Sequence, residues 1–415
     1  MPTDLDALLA FLVAGLLALL LVPLTKRLAV RVGAIDQPNE RSLHVAPTPK
    51  LGGLGILGGV LVAGLIWLPN DGESHAILIG AVAIALVGFL DDVFDLPAAL
   101  KLLGQVAAVV IPVSAGVTVD EFTFPFFGRL TPGTVDLLTL PWGGVVHLGD
   151  VGTVIGIVAV INVINLIDGV DGLAAGVAVI SGLTLATIAL SLDRTAAGVL
   201  AALTAGGALG YLRWGFPPAS TFMGDTGSNL LGYLLGAVAV QGALKTNAAI
   251  ALFLPLIILA VPILDTGFVV AKRLKYRRPI YKADRWHFHH RMADIGFSQR
   301  RTLLYLYGWT FVMAMLALAL RFVPYSDDHG NFDALWTAVM AVFGAMALAA
   351  SVYLVEVLEI LKLRQTRLRQ LVTLRRQVGQ PEPELQEINR GVEQELETGS
   401  FPTVDPETGE FEPIE

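Results

Sequence analysis

The sequence predicts an all-α polytopic membrane protein of about eleven transmembrane helices, and three observations carry that prediction. The 415-residue chain is 54% hydrophobic and 15% charged, with a mean hydropathy of +0.67, whereas soluble domains carry about 25% charged residues. Uncharged runs recur as far as residue 360, each near the ~20 residues that cross a bilayer. With the N-terminus placed outside, 24 of the 28 Lys and Arg residues fall on the inner side, as the positive-inside rule requires.

Taken in order, the expected spans are 4–24, 51–69, 75–90, 100–117, 151–167, 173–191, 196–212, 228–244, 248–271, 303–322 and 334–360. The first follows Asp4 and Asp6 rather than basic residues and lacks a small-residue cleavage site, so it reads as a retained helix and not a signal peptide. An odd number of spans puts the C-terminus in the cytoplasm. The outer segment 118–150 alternates β-branched and aromatic residues in VTVDEFTF and around LLTLPWGGVVHLGD, with GRLTPG between them. This predicts a small external β-hairpin. The bundle therefore occupies 1–360, and KLRQTRLRQLVTLRRQ continues it over 361–377 as a basic amphipathic helix, suited to anionic headgroups or a partner. From Val378 onward eleven acids face one Arg390, a balance of −10, while the rest holds 27 basic and 25 acidic residues. The 378–415 tail reads as solvated and disordered. The absence of cysteine excludes disulfides, thiolate catalysis and Cys-based zinc sites.

The same topology gathers the polar clusters on one face. In IALVGFLDDVFDLPAALK (84–101) an apolar run ends in Asp91 and Asp92, with Asp95 and Lys101 beyond. Carboxylates so close resist ionising together unless a cation relieves them; for Asp95 the plainer alternative is an N-cap for the next span. INVINLIDGVDGLAAG carries Asn162, Asn165, Asp168 and Asp171. A three-residue step drifts around a continuous helix, but Gly169 and Gly172 permit a break that turns Asn165, Asp168 and Asp171 toward one ligand. FMGDTGSNLLG sets Asp225 among glycines before a span, where a helix N-terminus receives phosphate. A carboxylate there repels phosphate unless a metal bridges the two, so Asp225 is a candidate metal ligand; the alternative is an N-cap at Asp225 or Ser228. RRPIYKADRWHFHHRM contributes His287, His289, His290 and Arg291, suited to phosphate oxygens. The first inner loop carries Arg41, His44 and Lys50, and Asp265 is a lone acid within a Pro262-interrupted span, a site candidate by default.

Carboxylates, glycine-flanked turns, histidines and cations at one membrane edge suit phosphoryl transfer between a soluble donor and a lipid acceptor. Oxygen ligands favour Mg²⁺, with Mn²⁺ as a substitute. The residues also carry a resemblance. DDVFDLPAALK, NVINLIDGVDGLAAG, FMGDTGSNLLG, WHFHHRM and the loop PNERSLHVAPTPKLGG resemble the signature blocks of the polyprenyl-phosphate N-acetylhexosamine-1-phosphate transferases, in order from about residue 36 to 292.

The resemblance implies a UDP-amino sugar donor and undecaprenyl phosphate acceptor, giving a lipid diphosphosugar and UMP at the start of a cell-envelope polysaccharide such as lipopolysaccharide or teichoic acid. It implies a multi-pass protein of the bacterial cytoplasmic membrane with its cleft facing the cytoplasm, often a homodimer, with no nucleic-acid partner. By motif, Asp91 and Asp92 resemble the paired catalytic aspartates and Asp225 the Mg²⁺-binding one, with Asp92 a second metal candidate. Asn165, Asp168 and Asp171 resemble nucleotide-pocket residues, and Phe222 a stacking partner for uracil. Lys50, Lys101, His287, His289, His290 and Arg291 would meet substrate, mainly its diphosphate. HFHHRM is closer to the HxHHRL of the N-acetylglucosamine-1-phosphate branch than to the histidines of the phospho-MurNAc-pentapeptide branch, the first alternative. A transporter is the alternative of another class, disfavoured because the polar groups cluster at one surface.

Overall fold

The computed structural model describes residues 3–38, 46–124, 128–139, 141, 144–242, 253–275, 287–294, 296–324, 333–378, 386 and 388–389. Arg41, His44, the 276–286 part of the basic loop and nearly all of the acidic tail lie outside the described residues, as do the side chains of His289 and His290. The helices are α1 (Asp4–Val32), α2 (Gly52–Trp67), α3 (Gly72–Phe94), α4 (Ala98–Ser114), α5 (Leu148–Ile167), α6 (Leu173–Ser191), α7 (Thr195–Gly215), α8 (Gly224–Gln241), α9 (Phe253–Ile258), α10 (Ala260–Lys275), α11 (Phe288–Asp294), α12 (Gln299–Phe322) and α13 (Ala334–Val378). Seven of them are long and apolar enough to cross a membrane among the described residues, and α2, α4 and part of α10 are shorter apolar helices. The protein is thus an all-α polytopic membrane protein, with only short strands among the described residues.

The chain divides into two units, Met1–Ala283 with Leu303–Phe343, and Asp284–Thr302 with Gly344–Glu415. In the first, α8 is the central post, buried along its length from Thr226 to Val240 and packed by α2, α3, α5, α6 and α7. Small residues allow this close packing. The buried face of α1 is Ala7, Ala10, Ala14 and Ala18, while Leu5, Leu12, Leu16 and Leu20 point outward. In lipid this inversion is expected, because leucine gains nothing by leaving hydrocarbon and tight backbone packing drives association. At Gly206 of α7 a Cβ would run into the Phe11 carbonyl of α1.

Prolines inside these helices each remove one N–H and free the carbonyl four residues back. Pro23 frees the Leu19 carbonyl, which accepts from Trp214 Nε1 at 3.0 Å. Pro262 frees that of Ile258, which accepts from Ser181 Oγ at 3.5 Å. Where no water can serve, a neighbouring helix supplies the donor.

Two expectations are corrected. The 118–150 segment is not one hairpin. β3 (Phe122–Phe124) pairs with β4 (Gly128–Leu130), and β5 (Asp136–Thr139) pairs with β6 (Val145–His147), as separate two-stranded ribbons. The GRL assigned to the turn is itself a strand. Asp95 does not cap α4: it closes α3 in the left-handed region at φ 54°, and the N-cap of α4 is Pro97, which makes no side-chain bond.

Candidate active site

Four connectors of the first unit meet at one end of the bundle: α1–α2, α3–α4, α5–α6 and α7–α8. In the first, β1 (Ile35–Asp36) pairs with β2 (Thr48–Pro49). Its continuation docks on the α7–α8 loop: Phe222 N–H donates to the Pro49 carbonyl at 2.8 Å, and the Gly52 and Gly53 N–H groups donate to the Phe222 and Met223 carbonyls at 2.9 Å. Phe222 is thereby fixed with its ring half-buried. Lys50 pairs with Asp36 at 3.8 Å.

Asp225 stands in the first turn of α8. Lys101 of α4 bridges it to Asp91, whose carboxylate lies 2.9 Å from the ammonium. Asn165 of α5 donates to Asp225 at 2.7 Å and to Ser228 Oγ at 2.9 Å, while its own carbonyl lies 3.3 Å from Lys101 Nζ. Helices α3, α4 and α5 therefore each place one polar side chain, and α8 two, at a single point.

Asp92 has a different part. Met223, at the N-cap of α8, offers no side-chain bond. Asp92 supplies the cap from α3, accepting Asp225 N–H at 2.9 Å, Thr226 N–H at 3.0 Å and the Thr226 hydroxyl at 2.7 Å. Gly224 sits at φ 68°, and a Cβ there would enter the Asp92 carboxylate; neither Asp225 nor Ser228 is the cap. The partnership spans 133 residues, so local spacing carried no signal for it.

The break after α5 falls where the glycines predict it. The helix ends at Ile167, and Gly172 opens α6 at φ 76°. Asp171 accepts the Ala219 N–H at 2.9 Å and so anchors the α7–α8 loop. Asp168 is half-buried. Burial first, then the charges of Asp225, Asp92 and Asp171, hold its carboxyl well above the usual carboxylate range. Asp265 is buried on α10.

Within the second unit α11 carries the histidine block. His287 and Arg291 are buried, and the Arg291 guanidinium lies 5.7 Å over the Phe288 ring. Sequence reading passed over Thr226 and Gln105, and saw Ser228 only as an alternative N-cap and Asn229 only within the motif of Asp225. For Gln105 and Asn229 the four-residue steps from Lys101 and Asp225 were the available signal.

Residues 74–243, which hold every one of these α3–α8 side chains, match glycosyl transferase family 4. The chain is 37% identical to a Bacillus subtilis protein named as a probable undecaprenyl-phosphate N-acetylglucosaminyl 1-phosphate transferase, over 75% of this chain and 84% of that one. It is 31% identical to a decaprenyl-phosphate N-acetylglucosaminephosphotransferase of Mycobacterium tuberculosis, over 72% and 78%. It is 35% identical to a phospho-N-acetylmuramoyl-pentapeptide-transferase of Desulforudis audaxviator, over 77% and 98%. Motifs that meet at one point in the fold and an alignment spanning most of both chains lead to one conclusion: this chain belongs to glycosyl transferase family 4, among the polyprenyl-phosphate N-acetylhexosamine-1-phosphate transferases.

Proposed function

We propose that the protein transfers a GlcNAc-1-phosphate-type group from a UDP-amino sugar to undecaprenyl phosphate, on the cytoplasmic face of a bacterial inner membrane. The observation that carries this is the meeting of Asp91, Lys101, Asn165 and Asp225 where four helices end. The basic-residue asymmetry supports the cytoplasmic orientation.

The residues suit a divalent cation. Among the described residues no three acidic or histidine groups form a complete metal cage. Mg²⁺ does not need one, since it takes one or two carboxylates together with substrate phosphates and water. Lys101 already occupies the cationic position between two carboxylates. Asp225 and Asp91 would hold the ion; Asp92, with both oxygens accepting from α8, is less suited than sequence reading supposed. Bound there, Mg²⁺ would screen the diphosphate and stabilise charge on the departing phosphate.

The chain's own groups do the rest. An oxygen of the lipid phosphate attacks the β-phosphorus of the donor, the bond to the α-phosphate oxygen breaks, and UMP leaves. The acceptor needs little help from a base, because a phosphate monoester loses its second proton near pH 6. Lys101 steadies the diphosphate as the bond breaks, and Asn165 holds Asp225 in place. Phe222 offers a face to the uracil, and Asp168 and Asp171 border the nucleotide.

Detergent-purified protein given UDP-GlcNAc, polyprenyl phosphate and Mg²⁺ is expected to release UMP. Asp225→Asn should lose about 10²-fold or more of that activity while keeping its thermal melt. Full turnover by this variant would overturn the metal assignment, and no UMP from wild type with UDP-GlcNAc, UDP-GalNAc or UDP-MurNAc-pentapeptide would overturn the function.

A further inference from the structure

One helical turn deeper than Lys101, Asn165 and Asp225 lies a second trio on the same three helices. Gln105 is four residues beyond Lys101 on α4, Asn162 is three before Asn165 on α5, and Asn229 is four beyond Asp225 on α8. Since α4 and α8 run away from the site and α5 runs toward it, each step moves the same way. Gln105 and Asn229 are fully buried. Asn162 Nδ2 donates to Gln105 Oε1 at 2.8 Å and to the Val158 carbonyl at 2.8 Å. Gln105 Nε2 donates to Asn162 Oδ1 and to Asn229 Oδ1, both at 3.5 Å. Asn229 Nδ2 is buried with no acceptor among the described residues.

An arrangement chosen for stability alone would look otherwise. Buried amides with long bonds and an orphaned donor are less favourable than apolar groups of the same shape. We infer that Gln105, Asn162 and Asn229 are positioning residues for the transfer site, a neutral amide floor that locks α4, α5 and α8 in the register that brings Lys101, Asn165 and Asp225 together. Neutral groups suit the place, because a second layer of charge would perturb the carboxylates above it. The two long bonds and the spare donor also leave the amides room to re-pair when the upper layer exchanges its ammonium bridge for a divalent cation. The inference rests on the proposed metal role of Asp225, and its first readout is metal binding without turnover.

Mn²⁺ binding to the substrate-free protein, followed by electron paramagnetic resonance, should weaken about tenfold in Gln105→Leu and Asn162→Leu, the scale of losses when groups behind a metal ligand are removed. Each variant leaves the facing amides unpaired and should lower the melting temperature, so binding is read well below the transition on folded protein. In turnover the half-saturating Mg²⁺ concentration should rise with the same factor, while KM for the nucleotide sugar moves no more than about twofold. Because the contact is between a long and a short amide, Gln105→Asn and Asn162→Gln should each impair metal binding, and the combined exchange should restore it. Unchanged Mn²⁺ affinity in folded Gln105→Leu, or a combined exchange no better than either single one, overturns the inference. Should the leucine variants not fold, the exchange series reads the same contact. Wild type that binds Mn²⁺ but releases no UMP counts against the proposed reaction and not against the floor.

Discussion

Asp92 and Thr226 form a contact that separates catalysis from support. Asp92 caps α8 and also accepts from the Thr226 hydroxyl; Asp92→Asn and Thr226→Ala share that hydroxyl bond and should be non-additive, while the two backbone N–H bonds survive Thr226→Ala. A double-mutant cycle on thermal stability is expected to return a coupling of about 1–2 kcal/mol; additive effects would return Asp92 to direct work on substrate or metal. Asp168 makes a pH prediction. Its carboxyl titrates well above its ordinary value in the fold, so its charged form opposes folding. Stability should therefore rise as pH falls through the raised value, and level off below the unfolded-chain value of about 3.9. Melting curves of wild type and Asp168→Asn compared across that window should show this component only in wild type. The motif aspartates were legible in the sequence because few carboxylates interrupt apolar runs. Their separate duties were not, because Asp92 and Asp225 differ only in what lies opposite them.

The helices follow from runs of apolar residues, and their packing follows from small ones. At Gly206 a methyl group would strike the Phe11 backbone oxygen, so α1 must move away from α7. Gly206→Ala is expected to destabilise the protein by about 1–3 kcal/mol, read as a lower unfolding temperature in detergent. Trp214→Phe keeps an aromatic ring, though a smaller one, and removes the donor to the carbonyl freed by Pro23; leaving that oxygen unpaired should cost about 1–3 kcal/mol. A phenylalanine variant as stable as wild type would show that the carbonyl finds another partner. The ribbons at 122–147 were harder to read. Alternation identified strand-forming sequence, but register depends on which strand lies alongside, and GRL pairs back on Phe122–Phe124.

For the whole molecule, the testable property is sidedness. The chain has no cysteine, so single introduced thiols report without background. Ala98 and Ala115 are exposed at the two ends of α4, and Gly169 is exposed in the α5–α6 connector. Ala98→Cys and Gly169→Cys should react with an impermeant reagent only from the cytoplasmic side, and Ala115→Cys only from outside. Labelling of Ala98→Cys and Gly169→Cys from opposite sides would separate the connectors that the transfer site needs at one face.

The sequence by itself determined the class of protein, the helical segments, the break at Gly169–Gly172 and the motif residues. Each of these depends on short-range properties: hydrophobicity over a span, backbone freedom at glycine, and charge where apolar sequence stops. Tertiary structure alone decided that Asp92 caps α8, that Lys101 lies between Asp91 and Asp225, and that an amide layer sits beneath them. Those contacts join residues 10 to 134 positions apart, and pairings at such range are set by how helices pack, which no local pattern encodes.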